Sequence, residues 1–144
     1  MGNLGMGVML GILGGNGETV EAIKSSLNKT IENVFLDNDT LTLHFTDGTT
    51  LLISDEGQAC CEDRYMTTDD NLSDFKGATL LDLELKSVEV IDEGYNYHEI
   101  QFLDVKYHEI QFLDVKTTKG VFTMVNHNEH NGFYGGFWVV GRIA

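Results

Sequence analysis

Residues 126–132 read Asn-His-Asn-Glu-His-Asn-Gly, a dense run of hydrogen-bonding side chains. His127, Glu129 and His130 are metal-ligand types. Their spacing does not reproduce the zinc motif in which two histidines share one helix face. Asn126, Asn128, His130 and Asn131 suit another task, because amides and imidazoles pair with ribose hydroxyls and base edges. An Asn-rich run before glycine is also ordinary turn chemistry. Downstream, Phe133-Tyr134-Gly135-Gly136-Phe137-Trp138 sets four aromatics around two glycines. Aromatic faces stack nucleobases, worth about 1–3 kcal/mol per base, and glycine lets backbone approach a ligand closely. A core strand bulged at Gly135-Gly136 is the structural alternative.

The chain has only two arginines, Arg64 and Arg142. A guanidinium fork fits a planar phosphate or carboxylate contact, and two structural salt bridges are the alternative use. Arg64 lies in Cys60-Cys61-Glu62-Asp63-Arg64-Tyr65. Adjacent cysteines form a disulfide only with strain, so both read as reduced thiols of a cytosolic protein. Arg64 favours a reactive thiolate there, whereas Glu62 and Asp63 oppose it. There is no Gly-x-Ser-x-Gly elbow, no zinc-deaminase signature and no triad. Asp69-Asp70 is a lone acidic pair, expected on a solvated loop. The chain therefore reads as a binder rather than an enzyme, with no catalytic residue, no metal and no cofactor.

Charge narrows the class of ligand. Against 23 acidic residues stand 9 basic ones, for a formal net charge of -14. Such a surface repels DNA, RNA and anionic lipid. One small anion is still admissible, because a few local cations outweigh distant charge beyond a screening length of about 8–10 Å. No uncharged run reaches the roughly 20 residues of a spanning helix, and no basic leader precedes the apolar N-terminus.

These residues need elements to hold them. Residues 1–17 are glycine-rich and uncharged, a poor helix, and read as a flexible or oligomer-packing segment. No Gly-Lys-Ser/Thr follows, which excludes a Walker loop. Residues 18–144 read as a single domain. Val20, Ile23 and Leu27 make one apolar face of a helix over 18–28. Residues 31–54 read as a three-stranded meander, turning at Asp37-Asn38-Asp39 and Asp47-Gly48. Residues 55–78 are polar and break the alternation, so they read as a long loop with a helical turn near Asn71–Phe75. Strands resume at 79–90, 97–105, 120–126 and 133–142. The fold class expected is α+β: a mainly antiparallel twisted sheet of about six strands with one N-terminal helix. YHEIQFLDVK at 97–106 recurs at once as 107–116. An unbroken strand through both copies is too long, so one copy should extend a hairpin or loop out while the other serves the core.

The strings GQACCEDRYMTTDDNLSDFKGATL and YHEIQFLDVKTTKGVFTMVNHNEHNGFYGGFWV resemble the first family of phage Thoeris anti-defence proteins, over about residues 30–142. The glycine-rich start and the duplicated ten-mer depart from that pattern. The resemblance implies a sponge that sequesters, without cleaving, a cyclic ADP-ribose isomer made from NAD by TIR enzymes in the host bacterial cytoplasm. Some such proteins also take up cyclic oligonucleotides. It further implies homo-oligomers, dimers assembling to a hexamer, with pockets between protomers. On that reading Arg64 and Arg142 contact the pyrophosphate, with Tyr65 beside Arg64. Tyr134, Phe137, Phe102 or Phe112 stacks on adenine. Asn126, Asn128, His130 and Asn131 bond the riboses. Two other classes compete: a metal-dependent nucleotide hydrolase using Asp70, His127, Glu129 and His130, and an acidic inhibitor of a host defence protein.

Overall fold

The computed structural model describes residues 17–57, 62–97, 103–130 and 135–144, with the side chains of 92–97 and 103–106 excepted. The order is α1 (Gly17–Ser26), β1 (Ile31–Asp37), β2 (Thr40–Phe45), β3 (Thr50–Asp55), β4 (Asp63–Thr67), a 3-10 turn (Leu72–Phe75), β5 (Leu80–Leu85), β6 (Glu89–Tyr97), β7 (Leu103–Thr117), β8 (Gly120–His130) and β9 (Val139–Ile143). The architecture is mainly antiparallel, with one helix near the N-terminus. The expected single sheet of six strands is instead two sheets, ordered β1-β2-β3-β9 and β4-β8-β7-β5, with β6 also on β7.

The first sheet follows its turns. Asn38 and Asp39 both take positive φ, 49° and 56°, which lets two residues close β1 onto β2 with the strands' native twist. Gly48, at φ 89°, closes β2 onto β3, and the Asp47 carboxylate accepts from the Thr49 backbone N–H. The meander read at 31–54 is therefore present. The chain returns at its end to add β9 beside β3, Leu52 opposite Arg142. Helix α1 packs on β9, and the Thr19 hydroxyl accepts from the Gly141 N–H at 3.1 Å.

The polar stretch 55–78 is not one loop. Arg64 and Met66 alternate there with Asp63, Tyr65 and Thr67, and the segment joins β8 as β4. An inward arginine hid the period of two. Backbone bonds from Asn28 and Ile31 to Leu80 and Ala78 stitch the sheets together. One apolar cluster spans both, with Leu41, Leu43, Phe45, Leu51 and Ile53 from the first sheet and Leu83, Leu113, Val115 and Phe122 from the second. Burying such side chains supplies about 1.5–3 kcal/mol each, which holds the sheets face to face.

Both copies of the ten-mer run through one fifteen-residue strand in part. The second copy pairs with β8 from Tyr107 opposite His130 to Lys116 opposite Val121, and with β5. Of the first copy, the described residues Tyr97 and 103–106 lie in the β6–β7 ribbon, with Tyr97 opposite Leu103. The second copy serves the core, and the expectation for residues 98–102 of the first lies outside the described residues.

Candidate functional site

Alternation along a strand puts successive side chains on opposite faces. On the second sheet, Arg64 and Met66 of β4, Asn126 and Asn128 of β8, and Glu109 and Gln111 of β7 share the inner face. The register sets Arg64 opposite Asn128, Met66 opposite Asn126, and Gln111 opposite Asn126. Further along, the same face turns apolar at Leu113, Met124, Val115 and Phe122. The sheet is thus a core wall at one end and a hydrogen-bonding surface at the other. Asn126, Asn128 and Gln111 are buried, at 1%, 0% and 1% exposure. Four of their atoms have no hydrogen-bond partner among the described residues: both amide atoms of Asn126, Oδ1 of Asn128 and Oε1 of Gln111. Leaving such an atom unsatisfied costs about 1–3 kcal/mol. A cavity of about 20 Å³ opens beside Asn126, lined also by Asp39, Asp55, Arg64, Tyr65 and Met66. That is room for about one water.

Arg64 anchors the acidic edge of this surface. Nη1 donates to the Asp55 carboxylate at 2.8 Å and to the Gly136 carbonyl at 3.0 Å. Nη2 and Nε donate to Glu62 at 2.9 and 3.2 Å. All three guanidinium nitrogens are engaged within the chain. The expected pyrophosphate contact therefore requires a phosphate to displace a carboxylate. Burial opposes the charge on Arg64, but Asp55 and Glu62 outweigh it and raise the pKa. The same groups dock residues 135–138. Asp55 accepts from the Trp138 N–H, Glu109 accepts from the Gly136 N–H, and the Asn128 amide donates to the Gly136 carbonyl. His130 Nε2 meets Glu109 Oε1 at 2.7 Å.

The outer face carries a different cluster. The Tyr65 ring stacks on His127 at 4.4 Å, and its hydroxyl donates to Glu129 at 2.7 Å. His127 Nδ1 lies 2.8 Å from His108 Nε2, and His127 Nε2 lies 2.8 Å from the Thr67 hydroxyl. Two ring nitrogens that close share one proton, so one imidazole accepts. Burial, then the neighbouring His108, pushes the His127 pKa down, against a smaller pull from Glu129. Burial and the Glu129 contact push the Tyr65 phenol up to about 12. The cluster can pass a proton along hydrogen bonds. Among the described residues, no group of three His, Cys, Asp or Glu is arranged to hold a metal ion.

The structure sorts the residues singled out above. Arg64, Asn126, Asn128 and His130 come together on the inner face. Tyr65 and Phe112 lie on the outer face, with Phe112 opposite Val125. Phe137 is half-buried against the apolar core. Arg142 is exposed on β9, on the other sheet, with no ion pair among the described residues. Phe102, Asn131 and Tyr134 lie outside the described residues, as do Cys60 and Cys61. The hydrolase set does not converge: His127 and Glu129 face out, His130 faces in, and Asp70 accepts from the Thr123 N–H. Asp55, Glu62, Glu109, Gln111 and His108 belong to these clusters and were not singled out. Their signal was present in Gln111 and Glu109, polar residues in phase with the core positions Leu113 and Val115. Among the described residues, no helix is long and apolar enough to cross a membrane.

No curated protein and no solved structure matches the chain. A family model does match, over residues 24–140, which takes in the meander, the whole second sheet and the docked 135–138 segment. The chain belongs to the family described as a domain of unknown function, DUF7448.

Proposed function

We propose that this protein binds and sequesters a cyclic ADP-ribose isomer made by TIR enzymes of the Thoeris system, without cleaving it. One observation carries the reading: three buried amides on adjacent strands leave four polar atoms without a hydrogen-bond partner among the described residues, two of them on Asn126, which lines a small cavity. Folding normally pairs such groups, and a surface kept unpaired suits a ligand that completes it. Three of the four atoms are acceptors, and Asp39, Asp55 and Arg64 line the cavity with carboxylates and a guanidinium already engaged. Ribose hydroxyls and the adenine amino group supply the donors such a surface wants. Arg142, exposed and without an ion pair among the described residues, is the better pyrophosphate contact, while Arg64 is a positioning residue. Phe137 stacks the base. Sites shared between protomers bring residues of both sheets to one ligand, which is why a homo-oligomer belongs to the proposal. Cyclic oligonucleotides present the same ribose and base donors. The setting is the host bacterial cytoplasm.

The test is to load the purified protein with cyclic ADP-ribose isomers, remove free ligand, denature by heat and weigh what is released. Intact nucleotide is expected from the wild type and none from Asn126→Leu. The same variant should be more stable than the wild type, by about 1–2 kcal/mol in urea, because it removes two unpaired buried atoms. A released product of altered mass would place the protein among enzymes. No released nucleotide from the wild type would end the proposal.

A further inference from the structure

We infer that the duplicated ten-mer gives β7 two interchangeable registers ten residues apart, with the first copy a spare for the second. Every residue from Tyr97 to Lys106 is repeated at Tyr107 to Lys116. A slide of β7 by ten residues therefore returns the same residue type to each position of the sheet. Ile100, Leu103 and Val105 would replace Ile110, Leu113 and Val115, and Glu99 and Gln101 would replace Glu109 and Gln111. A slide by any odd number would turn the apolar set to the wrong face. Shorter even slides match different residues against β8, so ten is the degenerate step.

The hairpin on one side accommodates the slide. The β6–β7 ribbon pairs Asp92 with His108, Glu93 with Tyr107 and Gly94 with Lys106. After the slide, Glu93 would face Tyr97, and Gly94-Tyr95-Asn96 would close the hairpin. A three-residue connection containing glycine is a common hairpin length. The ribbon lost in this way is the part that β8 does not reach, since β8 ends with His130 opposite Tyr107.

The connection on the other side sets the preference. Thr117–Gly120 is a tight turn held by several contacts. Thr117 Oγ1 donates to the Gly120 carbonyl at 2.8 Å and accepts from the Lys119 N–H at 3.1 Å. Thr118 Oγ1 accepts from the Thr79 N–H at 2.9 Å, and Lys119 Nζ donates to the Lys76 carbonyl at 2.6 Å. The slide would put ten extra residues between the strand and this turn and open it. The second copy therefore occupies the sheet because it is the copy tied to Thr117. The first takes over when the second is damaged, since two packings of one sequence can differ by little.

Leu113 is fully buried, so an aspartate there tests the spare. In the chain lacking residues 97–106, Leu113→Asp should lower Tm by on the order of 10 °C or abolish folding. In the full chain the loss should be less than half as large. Leu103→Asp alone should change little, and Leu103→Asp with Leu113→Asp should restore the full loss. Trypsin adds an independent readout: Leu113→Asp in the full chain should be cut after Lys116 and Lys119 while the remainder stays protected. If the shortened chain does not fold, the double variant in the full chain serves as the reference. Equal losses for Leu113→Asp and the double variant would overturn the inference, as would an uncut Lys116–Lys119 segment in a folded Leu113→Asp protein.

Discussion

At the scale of single residues, the inner face of the second sheet is governed by one cation. The Arg64 side chain is 7% exposed, and the side chains of its partners Glu62 and Asp55 are 0% and 9% exposed. Removing one member of a buried pair strands the others, at a cost of about 3–5 kcal/mol. Arg64→Leu should lose that much in urea unfolding. Arg64→Lys should recover only part of it, because an ammonium has no fork to span two carboxylates and a carbonyl. On the outer face, His127 gives a pH signature. Its folded pKa lies below the unfolded value of about 6.5, so the unfolded chain takes up the proton first as pH falls. The stability that neutral His127 contributes is complete above that value and is lost as pH falls from it through the lower folded pKa. Between pH 7.5 and 5.5, Tm should fall less in His127→Gln than in the wild type. Equal slopes would assign the pH dependence to groups other than His127.

Elements show where backbone shape, rather than side-chain identity, sets the site. Residues 135–138 approach β7 and β8 because glycine stands at 135. A Cβ there would come within 2.8 Å of Glu109 Oε1 and 3.1 Å of His130 Nε2. Gly136 next to it holds φ 71°, where a side chain is strained. Gly135→Ala should push the segment off Glu109 and cost about 1–3 kcal/mol by overpacking. Circular dichroism of the sheets should stay unchanged while urea unfolding shifts. The glycine pair lets backbone approach the protein's own carboxylate and imidazole. Strand β4 obeys the same logic in reverse: its inward arginine is tolerated only because β3, the preceding loop and residues 135–138 bring acceptors to it.

Taken whole, the molecule carries a net charge of -14 on one continuous core. Like charges spread over a small surface repel one another and oppose the compact state, and salt screens that repulsion beyond about 8–10 Å. Raising NaCl from 10 to 150 mM should therefore increase the wild-type Tm by about 2–5 °C. The buried Arg64 cluster is shielded from salt, so Arg64→Leu should keep the same salt increment while starting from a lower Tm. A wild-type Tm that falls with salt would show that exposed ion pairs such as Lys29–Asp47, at 3.0 Å, outweigh the general repulsion.

The sequence by itself determined whatever depends on neighbours in the chain. Helix α1 follows from Val20 and Ile23 at helical spacing, the meander from alternation closed by Asn38-Asp39 and Gly48, and the ribbon from a repeat too long for one core strand. It also pointed to Arg64, Asn126, Asn128 and His130, because their residue types stand out in a chain poor in cations. Tertiary structure decided which groups those four would meet. Asp55 and Glu62 are ordinary acids in sequence and become the partners of Arg64 only when β3, β4 and residues 135–138 converge. Gln111 faces Asn126 only through the β7–β8 register, and Tyr65 turns away from Arg64 because adjacent residues of a strand point to opposite faces. Which copy of the ten-mer enters the sheet was equally invisible, since the copies are identical. The preference follows from the Thr117–Gly120 turn beside the second copy, whose Thr118 meets Thr79 only after the sheet has formed.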